Sequence, residues 1–321
     1  MSLQAQRILL AACLVAALAI LGSCSQKETG KGPGPEGKGK PRIALVMKSL
    51  ANEFFLTMEN GAKEHQKQHA DEYDLLCNGI KDESDVKAQI NIVEQMIAQR
   101  VSAIVIAPAD SKALVPVCKK ALDAGIVVVN IDNKFDADVL KEQGIKLPFV
   151  GPDNRKGARL GGEYLAKQLK AGDKVAILEG APNAFNGIQR KLGFEDAMKA
   201  AGMEVAVSQT ANWDMGKARD VVAGMLPSQP DLKAILCAND NMALGAVAAL
   251  KPGQPILVIG FDNISAVQQL VKDGKILCTV DQHADQLAVF GIQYALDILK
   301  TKATPADKET AVDLITVKEL K

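Results

Sequence analysis

Aromatic side chains and histidine are scarce in this chain of 321 residues. Phe, Trp and Tyr together make up 4% of the sequence, with a single Trp, and there are three His. Charge of one sign is also lacking, since Lys plus Arg and Asp plus Glu each number 38. A neutral chain does not carry the basic field that nucleic-acid binding needs. The few aromatic residues are therefore informative wherever they stand beside polar side chains.

Cysteine is present without the spacing of a metal site. The six Cys form no CxxC pair, and no His stands at metal-ligand spacing around them. The sequence therefore predicts no metal and no cofactor. Cys118, Cys237 and Cys278 lie in apolar periodic segments and are expected to be buried thiols. A disulfide among these three and Cys77 stays open, although a core of this size does not need one.

The first 24 residues predict export. Arg7 precedes the apolar run Ile8–Ile20, which is too short to span a bilayer comfortably. The run ends in LGSC at 21–24, which resembles the bacterial lipobox, where the cysteine is acylated and becomes the first residue of the mature protein. A simple secretory signal cut near Gly22 or Ser23 is the alternative. Residues 1–24 are thus predicted to be a lipoprotein signal peptide, with the mature chain in the periplasm or cell envelope and lipid-anchored through Cys24.

Residues 25–40 read SQKETGKGPGPEGKGK and contain no apolar side chain. Gly, Pro and Lys in this proportion predict a solvated, flexible tether. From Pro41 onward, short apolar strand patterns alternate with amphipathic helix patterns, and the alternation restarts after Asn154. Near-continuous apolar strands between helices are typical of parallel sheets covered on both faces. The sequence therefore predicts an α/β fold of two doubly wound parallel-sheet domains.

Polar and aromatic side chains follow the predicted strands of both halves, where open α/β sheets bind their ligands. They include three aromatic rings, planar amides, carboxylates and one guanidinium. Aromatic rings cover the C–H faces of a sugar ring, while Asp, Asn, Gln and Arg hydrogen-bond to its hydroxyl groups. We therefore expect a monosaccharide site built from Lys48, Asn52, Phe54, Phe55, Asp132, Asn133, Arg190, Trp213, Asn239, Asp262 and Gln282.

Structural roles compete with this interpretation. Phe54 and Phe55 suit the buried start of a helix, Asp132 and Asp262 suit helix caps, and Arg190 suits a solvated helix face. An enzyme is a further alternative, because Asp132 and Asp262 resemble the paired carboxylates of a glycosidase. No nucleophile with a base partner accompanies them, so the sequence favours binding without catalysis. A nucleoside carrier also stays open, since aromatic rings sandwich bases as well.

Eight segments resemble the bacterial periplasmic monosaccharide-binding proteins of the ribose type, and the similarity runs from about Pro41 to the C-terminus. Within that family the likeness to D-allose-binding proteins is greatest, because Lys48 and Trp213 stand where those proteins carry Lys and Trp. The segments that carry the resemblance are 48–55, 107–108, 129–132, 152–154, 190–194, 211–214, 237–245 and 260–262.

The resemblance implies residue roles and a mechanism. Lys48, Asn52, Phe54, Phe55, Asp132 and Asn133 would line the wall of the first domain, Arg190, Trp213, Asn239 and Asp262 the wall of the second, and Gln282 a crossover. The N-terminal domain would comprise 41–152 and 283–308, and the C-terminal domain 153–282 and 309–321. A hinge of three crossings, near 151–154, 282–284 and 307–311, would close the domains around the sugar.

The resemblance also implies partners. The closed form of such proteins docks on an ABC-type permease, and this chain is expected to deliver its sugar in that way. A sugar-sensing subunit that contacts a chemoreceptor or a sensor kinase is the alternative, as is a nucleoside-binding lipoprotein. The membrane would be reached through the lipid anchor only.

Overall fold

The computed structural model describes residues 39–321. The predicted signal peptide with Cys24, and nearly all of the predicted tether, lie outside the described residues. No helix within 39–321 combines the length and apolarity needed to cross a membrane.

The first part of the chain alternates strands and helices around one sheet. Its elements are β1 (Arg42–Ser49), α1 (Glu53–Gln68), β2 (Asp74–Ile80), α2 (Val86–Ala98), β3 (Ala103–Ile106), α3 (Val115–Asp123), β4 (Val127–Ile131), α4 (Ala137–Glu142) and β5 (Phe149–Pro152). The strands pair in parallel in the order β5-β4-β3-β1-β2. Because helices cover both faces, every residue of β1 after Arg42 is buried.

The second part repeats the pattern around a four-stranded parallel sheet of order β7-β6-β8-β9. Its elements are α5 (Asn154–Ala166), β6 (Lys174–Glu179), α6 (Phe185–Ala200), β7 (Glu204–Thr210), α7 (Met215–Met225), β8 (Leu232–Cys237), α8 (Asp240–Ala249), β9 (Leu257–Ile259), α9 (Ser265–Lys272) and β10 (Thr279–Asp281). A parallel bridge from Ile259 to Cys278 attaches the β10 segment to the edge of this sheet.

The last elements return to both sheets. Helix α10 (Ala284–Thr301) packs against α1 and against β3 and β4 of the first sheet. The approach to α1 is close, since a β-carbon at Gly61 would lie 2.7 Å from the backbone of Asp285. Strand β11 (Lys308–Thr310) then pairs with β5, and β12 (Asp313–Ile315) pairs antiparallel with β10.

We call the six-stranded sheet with α1–α4 and α10 the first lobe, and the four-stranded sheet with α5–α9, β10 and β12 the second lobe. The chain passes between the lobes at 152–154, 281–284 and 310–313. The predicted α/β fold with two doubly wound parallel sheets and three crossings is confirmed. The third passage lies about two residues beyond the predicted boundary at 308, because Glu309 and Thr310 still pair with β5.

The four cysteines of the described chain are all free. Cys118, Cys237 and Cys278 are buried, as the apolar pattern predicts, and Cys77 is half-buried. Burial raises the pKa of the Cys77 thiol to about 11 and that of Cys118 to about 12. These thiols are therefore protonated, and inert as nucleophiles, at neutral pH.

Candidate functional site

A narrow cavity of about 220 Å³, counted with its open edges, lies between the carboxyl ends of the strands of the two lobes. The structure brings ten of the eleven predicted site residues together here. The lining consists of Lys48, Asn52, Phe54, Phe55, Glu83, Asp132, Asn186, Arg190, Trp213, Asn239, Asp262 and Gln282.

Three of the lining residues adopt a strained backbone within three residues of the end of a strand. Asp132 follows β4 with a φ of 61°, Trp213 lies beyond β7 with a φ of 68°, and Asp262 lies beyond β9 with a φ of 125°. A non-glycine residue in this left-handed region costs on the order of 1–3 kcal/mol and persists only where the surroundings hold it. The strain turns each side chain into the cavity, and such outliers cluster at binding sites.

The wall of the first lobe carries one cation between two carboxylates. The Lys48 ammonium lies 3.4 Å from Asp132 Oδ2 and 3.9 Å from Glu83 Oε2, and its side chain is almost fully buried. Asn52 caps α1 by accepting the Phe54 amide, and its Nδ2 donates to Glu83 at 2.9 Å. Burial raises the pKa of Glu83, and the neighbouring Lys48 and Asn52 oppose this shift.

The two phenylalanines of this wall serve the core as well as the cavity. Phe54 and Phe55 are 3% and 2% exposed, and their rings meet edge-to-face with centroids 5.0 Å apart. From the sequence, a place in the core and a place in the binding site were alternatives for these two residues. In the structure the same rings occupy both. A fixed pair of rings gives the first wall an apolar surface beside its charges.

Arg190 is the centre of the second wall and is fixed from several sides. Its Nε donates to Asn154 Oδ1 at 2.8 Å, and its Nη1 donates to the Ala238 carbonyl at 2.8 Å. The same nitrogen lies 3.5 Å from Asp262, and the guanidinium stacks 3.8 Å over the Phe261 ring. Burial lowers the pKa of Arg190 and raises that of Asp262, while each of the two opposes the shift of the other.

Trp213 occupies a slot that two glycines leave open. A β-carbon at Gly180 would overlap the indole, and one at Gly187 would lie 3.0 Å from it. Asn239 caps α8 by accepting the Met242 amide and also lies 3.4 Å from the Trp213 carbonyl. The ring is 5% exposed, and the slot fixes its position in the wall of the cavity.

Four buried polar atoms around the cavity have no hydrogen-bond partner in the protein. They are Asp132 Oδ2, Asn186 Oδ1, Gln282 Oε1 and Trp213 Nε1. Gln282 is held in place, since its Nε2 donates to Asp262 Oδ1 at 2.7 Å. Buried groups without partners are costly, so three acceptors and one donor in one small cavity indicate a ligand rich in groups that donate and accept.

Asn133 does not line the cavity, unlike the other predicted residues. It is fully buried, its Nδ2 donates to the Pro108 carbonyl at 2.8 Å, and its Oδ1 accepts the Asn186 amide at 3.1 Å. Both ends of the side chain are therefore occupied by protein groups. Glu83 and Asn186 also line the cavity, and neither was predicted from the sequence.

The cavity lining contains no His, Ser, Thr or Cys side chain. Within residues 39–321 there is also no group of three or more His, Cys, Asp or Glu placed to hold a metal ion. The arrangement of fixed donors, acceptors and aromatic faces is suited to non-covalent binding.

Known proteins resemble the chain over nearly its whole length. The family model described as a periplasmic binding protein domain matches residues 43–303. A D-ribose/D-allose-binding protein of Pseudomonas aeruginosa is 57% identical over 94% of this chain and 96% of that protein. A D-allose-binding periplasmic protein of Escherichia coli is 33% identical over 85% of this chain and 89% of that protein.

Solved structures agree in fold. An ABC transporter solute-binding protein of Burkholderia multivorans, with an unknown ligand represented as α-D-erythrofuranose, is 59% identical with a TM-score of 0.85 and covers 87% of this chain and 100% of that one. A periplasmic solute-binding protein of an ABC transporter from Actinobacillus succinogenes, with bound D-allose, is 35% identical with a TM-score of 0.83 over 88% of this chain and 99% of that one.

Proposed function

Because the chain belongs to the family of periplasmic binding protein domains, we propose that it clamps a monosaccharide of the D-ribose or D-allose kind between its lobes and delivers it to an ABC-type permease. It is a binding protein of a sugar transporter and not an enzyme. The observation that carries the proposal is the convergence on one small cavity of four buried atoms that make no hydrogen bond, Asp132 Oδ2, Asn186 Oδ1, Gln282 Oε1 and Trp213 Nε1.

The chemistry of a monosaccharide matches this lining. Each hydroxyl group both donates and accepts, so a ring with several of them supplies partners to carboxylate, amide and indole groups together. The apolar face of a sugar ring suits Trp213 on one side and the Phe54–Phe55 pair on the other. Specificity follows, since a ligand that lacks one hydroxyl would leave a buried group unpaired.

Closure of the lobes completes the proposal. We place the domains at 41–152 with 283–310 and at 153–282 with 311–321, where the predicted boundary at 308 has moved because Glu309 and Thr310 pair with β5. The three passages between the sheets support a hinge, because they lie side by side where the lobes meet. A ligand that contacts both walls stabilises the closed arrangement by its differential affinity for that form.

A thermal-shift screen of the chain without residues 1–24 tests the function. The panel is D-allose, D-ribose, D-xylose, D-galactose, L-arabinose, D-fructose, myo-inositol and adenosine. A ligand at about 1,000 times its dissociation constant adds about 4 kcal/mol of stability, a shift of several degrees. We expect shifts with D-ribose or D-allose; a shift with adenosine alone would make the chain a nucleoside carrier instead.

The LGSC sequence at 21–24 supports a lipid anchor at Cys24. The full chain, expressed in a bacterium fed an alkyne-labelled fatty acid, should incorporate the label and partition with membranes. The variant Cys24→Ser should incorporate none. A wild-type protein that incorporates no label would mean that the signal is an ordinary secretory one, and equal labelling of both proteins would place the lipid elsewhere than on Cys24.

A further inference from the structure

Two helices of the second lobe begin without a side-chain cap of their own. The N-cap position of α6 is Ala184 and that of α9 is Ile264, and neither offers a side-chain acceptor. The other helices of this lobe are capped by local residues, Asp153, Asp214 and Asn239. The first amides of a helix need acceptors from outside it, so those of α6 and α9 must find theirs elsewhere.

The acceptors for α6 come from the first lobe. Ser111 Oγ accepts the Phe185 amide at 2.9 Å, and Asn133 Oδ1 accepts the Asn186 amide at 3.1 Å. The loop before α6 joins the same contact, since the Ser111 amide donates to the Asn183 carbonyl at 3.0 Å. One rim of the cleft is therefore closed by capping bonds that cross between the lobes.

A further capping bond between the lobes is found at α9. Glu53 Oε1, at the first position of α1, accepts the Ser265 amide of α9 at 2.8 Å. A carboxylate at a helix N-terminus also interacts favourably with the helix dipole. When the lobes separate, all three amides lose these partners to water, so the caps belong to the closed form alone.

We propose that Ser111, Asn133 and Glu53 are positioning residues for binding, which set the affinity by capping the helices of the opposite lobe without contacting the ligand. The inference rests on the proposed function. It also gives Asn133 a role different from the sugar contact that the family resemblance implies. Because these bonds form in the closed protein whichever sugar is enclosed, they add the same increment to every ligand.

Titration calorimetry and stopped-flow kinetics of Ser111→Ala, Glu53→Ala and the double variant, with D-ribose and D-allose, test the inference. Removing a cap weakens a helix N-terminus enough to change an equilibrium several-fold. We expect the dissociation constant to rise about fivefold for each variant and about 25-fold for both, by an equal factor for the two sugars and mainly through faster dissociation. Glu53→Gln keeps the acceptor and should restore most of the affinity.

Two substitutions serve as matched controls. Ser208→Ala removes a hydroxyl that donates to Glu179 within the second lobe, and Glu94→Ala removes a carboxylate that pairs with Lys120 within the first. Both should leave the affinities unchanged. If the wild-type protein binds its sugar and the double variant binds it within a factor of two, or if the factors differ between the sugars, the inference is wrong while the function stands. Absence of sugar binding by the wild-type protein overturns the proposed function itself.

Discussion

The two walls of the cavity differ in how firmly the protein holds their charged groups. In the second wall, Arg190 is held by Asn154, the Ala238 carbonyl, Asp262 and the Phe261 ring before any ligand arrives. In the first wall, two carboxylates share the single Lys48, and Asp132 Oδ2 has no hydrogen bond. The charged group of the second wall is thus a preorganised platform, although Asn186 Oδ1 and Trp213 Nε1 of the same wall make no hydrogen bond, whereas the charged groups of the first wall are held less completely.

The largest loss of sugar affinity should come from removing the indole ring of Trp213. Trp213→Ala deletes the stacking face and leaves a gap beside Gly180 and Gly187, so sugar affinity should fall by at least about 100-fold, to an undetectable level. Calorimetry measures the affinity, and circular dichroism checks that the fold is retained. Trp213→Phe, which keeps a smaller ring, should lose much less. Unchanged affinity of Trp213→Ala would remove the indole from the site.

Arg190→Ala should cost about 2–4 kcal/mol of binding free energy, because it leaves sugar hydroxyl groups and Asp262 unpaired. The measurement is the dissociation constant of the preferred sugar. Arg155→Ala is the control, since Arg155 pairs with Asp196 on the surface of the same lobe. A loss below about 0.5 kcal/mol would show that the guanidinium serves the lobe and not the ligand.

The buried Asp240 lies in the second lobe and allows the stability of that lobe to be examined as a function of pH. Its two oxygens accept from Thr279 Oγ1 and the Ile264 amide, and burial raises its pKa to about 7. Between pH of about 4 and 7 the folded protein therefore keeps a proton that the unfolded chain has lost, so this group's contribution to stability falls as the pH rises. The loss should total roughly 2–4 kcal/mol.

Urea unfolding across this pH range, in wild-type protein and in Asp240→Asn, measures the contribution. The difference between the two free energies of unfolding should change in favour of the variant as the pH rises from about 4 to about 7. A difference that stays constant with pH would mean that Asp240 is ionised throughout this range.

The smallest effect should come from the first wall. Glu83→Gln keeps an acceptor for Asn52 but removes the charge beside Lys48, so affinity should fall about five- to tenfold. Unlike loss of the caps between the lobes, this change should alter the ratio of D-ribose to D-allose affinity. An unaltered ratio would make Glu83 a support for Lys48 and Asn52 only.

Much of the site follows from the sequence because strands end in informative residues. Asp132 comes directly after an apolar strand, Trp213 and Asp262 come three residues after the end of theirs, and the carboxyl ends of parallel strands meet at one edge. Glu83 gave no such signal, since it follows β2, a half-buried strand whose sequence DLLCNGI lacks the usual β-branched run. Asn186 gave none either, since it lies within the first turn of α6 and not at the end of an apolar strand.

The direction of the Asn133 side chain could not be predicted from the sequence pattern. Its position one residue after Asp132 is the same whether its amide faces the cavity or the neighbouring lobe. The left-handed backbone at Asp132 decides between the two, by turning the next side chain towards Pro108 and α6. Such a choice depends on contacts between segments far apart in the chain, and local sequence does not encode it.

The buried free thiols can be used to measure how often each lobe opens. A chain that starts after Cys24 carries four cysteines, three of them fully enclosed, and none reacts readily while the lobes are intact. The rate at which an alkylating reagent modifies Cys118 or Cys237 therefore reports how often each lobe opens, one thiol per lobe. Mass spectrometry of the labelled peptides would time the two openings separately and show which lobe a bound sugar protects more.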